Sequence, residues 1–121
     1  MRRRSIILIG GEGYIGTVVR NFFLKKKFKV NSIDNVIYKQ SLKIDKSNKN
    51  FKFIKYDFAN KKIFNFLDKL DHENLIVLGS IVGDPISKKY PHLTKKINLE
   101  ATERLLRYAL KKRFRKIIFI S

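Results

Sequence analysis

Apolar residues along this chain follow two rhythms. Short runs rich in β-branched and aromatic side chains lie at Ile6–Ile9, Lys29–Asp34, Phe51–Tyr56, Leu75–Leu78 and Lys116–Ile120. They are too short for helices and read as strands. Between them, apolar residues recur every three or four positions. Ile15, Val18, Val19, Phe22 and Phe23 predict a helix over about Tyr14–Lys26 with those five side chains turned inward, closed by Lys25, Lys26 and Lys27 at its negative end. Ile63, Phe64, Phe66, Leu67 and Leu70 predict a second helix. Ile97, Ala101, Leu105, Tyr108 and Ala109 predict a third over about Thr94–Lys111. Residues 35–50 read as a long polar loop, and the Gly-Asp-Pro and Tyr-Pro signals within 81–91 mark another.

Strands alternating with helices give βαβ units, hence a parallel sheet with right-handed crossovers. The expected fold is α/β, an incomplete doubly wound, Rossmann-like sheet with strand order 3-2-1-4-5. A ligand then belongs across the carboxyl ends of the strands, at the switch point between strands one and four.

That switch point coincides with the chain's densest glycine cluster. Strand one runs into Gly10, Gly11, Gly13 and Gly16, and the first helix follows at once. The spacing satisfies both G-x-G-x-x-G (Gly11, Gly13, Gly16) and G-x-x-G-x-x-G (Gly10, Gly13, Gly16). In such a turn the backbone approaches a pyrophosphate closely, and the helix N-terminus stabilises its charge. A glycine pattern alone is weak, because such turns also serve only to pack a helix close to a strand. Here a strand precedes, a helix follows, and the second strand ends at Asp34, eighteen residues beyond Gly16. A carboxylate there accepts hydrogen bonds from the ribose hydroxyls of an adenosine. Glu12 lies inside the glycine turn, where an inward carboxylate would repel phosphate, so it is expected to face solvent.

Composition narrows the reading. With 121 residues the chain is one domain at most, and its 44% apolar content suffices for a core. It has no cysteine, which excludes disulfides and thiolate metal sites and fits a reducing compartment. Arg2, Arg3 and Arg4 precede a short apolar run that glycines break five residues beyond Arg4, too short for a leader or a membrane span. A cytoplasmic, soluble protein with no membrane partner is expected. The net charge of +18 raises nucleic acid as a partner. The lysines are scattered over helix ends and loops, however, and no recognition-helix or base-stacking signature accompanies them. Solvated surfaces are the plainer reading, with no specific nucleic-acid partner. His72 and His92 lack companions at metal-ligand spacing, so no metal site is assigned.

Read together, these segments resemble the extended short-chain dehydrogenase/reductases, in particular the NAD-dependent epimerase/dehydratase family. Ile9-Gly10-Gly11-Glu12-Gly13-Tyr14-Ile15-Gly16 is similar to the family's T-G-G-x-G-F-I-G, with Ile9 for threonine and Tyr14 for phenylalanine. The three-spaced glycines favour the reading through Gly10, Gly13 and Gly16. Asp34-Asn35 resembles the pair that holds the adenosine ribose, and no arginine follows closely for a 2′-phosphate, so NAD is implied over NADP. Tyr56-Asp57-Phe58 resembles the turn facing the adenine. Leu78-Gly79-Ser80 resembles the end of the strand-four H-L-A-A type motif, with Val77 where histidine is usual. Asn98 and Thr102, followed by Leu105-Leu106, resemble the N-x-x-x-T…L-L helix. The resemblance therefore implies a cofactor site at Gly10, Gly13, Tyr14, Ile15, Gly16, Asp34, Asn35, Asp57, Phe58, Leu78, Gly79, Ser80 and Asn98.

The resemblance also implies what these residues do not contain. The family's acid/base pair is a Tyr-x-x-x-Lys on the helix after strand five, beyond Ser121. Residues 1–121 thus read as the NAD-binding N-terminal portion of a nucleotide-sugar epimerase or dehydratase that is a homodimer when intact, with no catalytic residue of its own. The alternatives are a non-catalytic dinucleotide sensor and a basic nucleic-acid-binding domain. Tyr108-Ala109-Leu110-Lys111-Lys112 does spell Tyr-x-x-x-Lys, but it precedes strand five and suits a core contact with a lysine one turn later. Asp84, Ser80 and Ser87 lie in the strand-four loop, where Asp84 before Pro85 forms a turn. An uncovered edge on strand five is expected to leave the isolated chain marginally stable and prone to aggregate.

Overall fold

Strand β1 (Ser5–Ile9) is buried along its whole length because both faces of the sheet are covered there. This explains why its sequence is continuously apolar rather than alternating. In a computed structural model of the chain, residues 4–10, 14–34, 48–56, 61–78 and 91–120 are described, with the backbone only for residues 14, 91, 93, 94, 97 and 98. The remaining elements are α1 (Tyr14–Lys25), β2 (Lys29–Asp34), β3 (Phe51–Lys55), α2 (Ile63–Leu67), β4 (Asn74–Leu78), α3 (Pro91–Lys111) and β5 (Lys116–Ile120). The five strands form one sheet in the order β3-β2-β1-β4-β5, and every pairing is parallel. This is the expected Rossmann-like order.

Two cores lie on opposite faces of the sheet. On one, Ile7, Ile9, Ile33, Leu75 and Val77 pack under Ile63 and Leu67 of α2 and Ala101, Leu105 and Ala109 of α3. On the other, Ile6, Leu8, Val30 and Ile76 pack against Val19, Phe23 and Leu24 of α1, and against Phe28 just beyond it. Helices α1 and α3 end in the same way. Lys27 (φ 67°) and Arg113 (φ 56°) take the left-handed conformation. The next residue's N–H then reaches back five positions, Phe28 to the Phe23 carbonyl at 3.1 Å and Phe114 to the Ala109 carbonyl at 3.4 Å. This is the Schellman closure, completed in α1 by the Phe23–Phe28 ring contact at 5.0 Å.

Most predicted elements stand within a few residues of their expected limits. Helix α3 begins three residues early, at Pro91, which suits a first helical position because proline has no N–H to leave unsatisfied. Helix α2 is short: Ile63 and Leu67 are buried, whereas Phe64, Phe66 and Leu70 lie half-buried against the same core. The inward face predicted for α1 needs a correction. Ile15, Val18 and Phe22 are 61%, 60% and 54% exposed, and only Val19 and Phe23 pack toward the sheet. The apolar arc of this helix is wider than the surface that covers it. Arg20 is instead buried, its guanidinium stacked over the Phe51 ring at 4.8 Å. The loops predicted within 35–47 and 81–90, and the inward side chain predicted for Ile97, lie outside the described residues.

At the far edge, β5 pairs with β4 alone among the described residues, and Ile118, Phe119 and Ile120 are exposed. No helix among the described residues is long and apolar enough to cross a membrane.

Candidate functional site at the carboxyl ends of the central strands

The strand order reverses at β1, where β2 lies on one side and β4 on the other. In register, Ile9 stands opposite Ile33 of β2 and Val77 of β4. The three strands therefore finish together at Gly10, Asp34 and Leu78. Such a crevice is where open parallel sheets bind ligands, because the neighbouring crossovers leave in opposite directions.

Gly10 makes the turn out of β1. Its N–H donates to the Ile33 carbonyl at 2.9 Å, which extends the ladder by one bond. Its φ is +76°, a left-handed conformation that favours glycine. A Cβ added there would lie 2.6 Å from the Leu78 carbonyl oxygen, a rigid backbone atom of the adjacent strand. Two independent constraints thus demand glycine, and only one is conformational. The chain then leaves the sheet and reaches α1, which starts at Tyr14 and has no acidic residue in its first turn. Gly16, in that turn, is buried.

Asp34 closes β2. The Tyr56 N–H donates to its carbonyl at 2.9 Å, which fixes the backbone of the strand end. Ile33 points to the α2–α3 core, so alternation places the Asp34 side chain on the α1 face, the side on which the helix N-terminus lies. Lys55 stands opposite Asp34 in register, an ammonium-bearing neighbour that the sequence reading did not single out. Its pairing depends on the β2–β3 register, which the sequence pattern alone does not reveal.

Of the residues proposed from the sequence, the structure brings Gly10, Ile15, Gly16, Asp34 and Leu78 to this end of the molecule, together with the backbone of Tyr14. Ile15 is exposed there. Asn98 lies on α3, with its side chain outside the description. Gly11, Glu12, Gly13, Asn35, Asp57, Phe58, Gly79 and Ser80 lie outside the described residues, as do Asp84 and Ser87.

The second Tyr-x-x-x-Lys pattern lies elsewhere. Tyr108 lies in the last turn of α3 and Lys112 just beyond it, beside the residues that lead into β4, hence at the amino ends of the strands. The Tyr108 hydroxyl donates to Asp68 Oδ1 at 2.6 Å, and Lys112 Nζ lies 3.2 Å from the same oxygen. Phe64 stacks on the Tyr108 ring at 4.9 Å. Burial, then the Asp68 carboxylate, raise the phenol well above its ordinary value. A general acid/base tyrosine needs the opposite shift. This tyrosine fastens α2 to α3.

The same architecture recurs in solved structures. Pal from Bacillus thuringiensis superposes with a TM-score of 0.80 at 24% identity, covering 97% of this chain and 38% of that one. The UDP-Glc/GlcNAc 4-epimerase of Campylobacter jejuni gives 0.78 at 22% identity, covering 96% and 36%. A short chain dehydrogenase of Leptospira borgpetersenii, solved with bound NAD+, gives 0.64 at 22% identity, covering 92% and 46%. At these identities the likeness establishes the fold, and the chain spans between about a third and a half of each protein's length. The sequence itself matches the NAD dependent epimerase/dehydratase family over residues 6–121. This chain belongs to that family.

Proposed function

We propose that these residues form the dinucleotide-binding portion of an NAD-dependent enzyme acting on a nucleotide sugar. The observation that carries the reading is Gly10, a left-handed residue pressed against the Leu78 carbonyl at the switch point, four residues before a helix N-terminus. A side chain at Gly10 would collide with the β4 backbone, so glycine lets the chain turn out of β1 directly toward that helix N-terminus. The positive end of the helix dipole at the start of α1 favours an anion there. Family membership and a neighbour solved with bound NAD+ support NAD as the dinucleotide. In an epimerase or dehydratase the nicotinamide accepts and returns a hydride from a sugar carbon. These residues bind and orient: the glycine turn admits the pyrophosphate, and the Asp34 carboxylate receives the ribose hydroxyls. The proton-transfer pair and the sugar pocket belong to residues other than these.

Replacing Asp34 by Ala tests the reading. A charge-assisted hydrogen bond from a ribose hydroxyl is worth about 1.5–3 kcal/mol, so losing even one should lower NADH affinity roughly 10- to 100-fold or more. The fall is read by NADH fluorescence titration. Unchanged affinity would remove Asp34 from the site.

A further inference from the structure

Asp34 ends β2, and the fold sets a cation beside it from the neighbouring strand. Asp34 and Lys55 are partners in the parallel β2–β3 ladder, where the Tyr56 N–H donates to the Asp34 carbonyl at 2.9 Å. Partners in such a ladder turn their side chains to the same face of the sheet. Three contacts identify that face. Ile33 and Ile54, one residue earlier on each strand, both join the α2–α3 core. Lys52 shares the Ile54 face, with its ammonium over the Phe66 ring of α2 at 5.7 Å. Phe51, on the other face, carries the Arg20 guanidinium of α1 at 4.8 Å. Alternation along β3 therefore puts Lys55 in the Phe51 row, on the α1 face with Asp34, where the strands finish.

Lys55 is exposed and takes part in no ion pair among the described residues. Neighbouring strands lie about 4.8 Å apart, so the longer lysine side chain carries its ammonium past the Asp34 carboxylate. It stands in the space that a ribose hydrogen-bonded to that carboxylate would border. A dinucleotide phosphorylated at the 2′-oxygen differs from NAD at this place alone. Its added phosphate carries roughly −1.5 to −2 charge at pH 7 and is repelled by a lone carboxylate. An adjacent ammonium offsets that repulsion and supplies a charge-assisted hydrogen bond. No arginine follows Asp34 closely in the sequence. The cation comes instead from across the sheet, as a point charge rather than a bidentate fork.

Given Asp34 as the ribose acceptor, we infer that Lys55 receives a 2′-phosphate, so that the switch-point site accepts NADPH as well as NADH. Asp34 holds the ribose hydroxyls of the unphosphorylated dinucleotide, and Lys55 holds the phosphate of the other.

The test is a fluorescence titration of the 121-residue chain with NADH and with NADPH near physiological salt. NADPH should bind within about tenfold of NADH. Lys55→Gln should weaken NADPH at least about tenfold, the worth of one charge-assisted hydrogen bond, and leave NADH within about threefold. Lys55→Arg should keep most of the NADPH affinity. Lys52→Gln removes the same charge from the opposite face of β3 and should change neither affinity by more than about threefold, because solvent and salt screen it. All three variants should keep the parent's circular-dichroism melt. Equal losses of both dinucleotides in Lys55→Gln, or the same NADPH loss in Lys52→Gln, would reduce Lys55 to bulk charge and overturn the inference. Intact NADPH affinity in Lys55→Gln, beside weakened NADH binding in Asp34→Ala, would overturn it and leave the Asp34 reading standing. Unchanged NADH affinity in Asp34→Ala, or no binding of either dinucleotide, would overturn both.

Discussion

Gly10 and Lys27 share a left-handed φ under different constraints. At Gly10 the left-handed φ coincides with a neighbour's carbonyl 2.6 Å from where a Cβ would stand, so no side chain is tolerated. Gly10→Ala should cost about 2 kcal/mol or more in urea unfolding, from the left-handed conformation and the displaced backbone together. A loss below half that would show that the strand ends shift freely. Lys27 has the left-handed φ without glycine. Here Lys27→Gly relieves strain at the helix terminus, offset partly by the added freedom of the unfolded chain. It should stabilise the protein by about 0.5–1 kcal/mol in the same measurement, and a destabilised variant would contradict the closure described for α1. Gly10 was legible in the sequence because a strand, a turn and a helix flank it. Lys27 was not, because lysine gives no sign of a positive φ and the cluster Lys25-Lys26-Lys27 reads equally well as helix, cap or loop.

At the scale of elements, α2 has only five residues and depends on its neighbours. Its attachment to α3 runs through Asp68, Tyr108 and Lys112. The hydrogen bond from Tyr108, then Lys112, hold the Asp68 carboxyl below its usual range. Stability from this group is present above about pH 4 and is lost as acid protonates it. For Tyr108 the shift is upward, from burial and from Asp68. The folded state keeps a proton that the unfolded state releases above about pH 10, so this contribution is present below that pH and fades above it. Tyr108→Phe should therefore flatten both the acid and the alkaline fall of the melting temperature. Identical pH profiles for the two proteins would rule out the contact as a determinant of stability. The elements show what hydrophobic spacing conveys. Ala101, Leu105 and Ala109 were expected inward on α3 and are buried, because the sheet and α2 cover that whole face. Ile15, Val18 and Phe22 share a similar spacing and are exposed. Periodicity identifies an apolar arc but not how much of it a neighbour covers.

For the whole molecule, five parallel strands and their order follow from the alternation of patterns and the handedness of crossovers. The order then places the glycine turn, Asp34 and Leu78 at one end, and this much of the site was readable from residues 6–34 and 75–78. The Asp34–Lys55 pairing was not, since register depends on which residues of β3 meet β2. The +18 charge attracts any anionic nucleotide and so does not discriminate between ends of the molecule. Location is what discriminates. The most direct measurement is to add NAD+ to the isotopically labelled chain and follow its amide resonances. A dinucleotide site at the switch point predicts the largest shifts at Gly10, Ile15, Asp34 and Leu78, with little change at Arg4 and Lys116 at the opposite end. Shifts confined to the amino ends of the strands, or none at saturating NAD+, would contradict it.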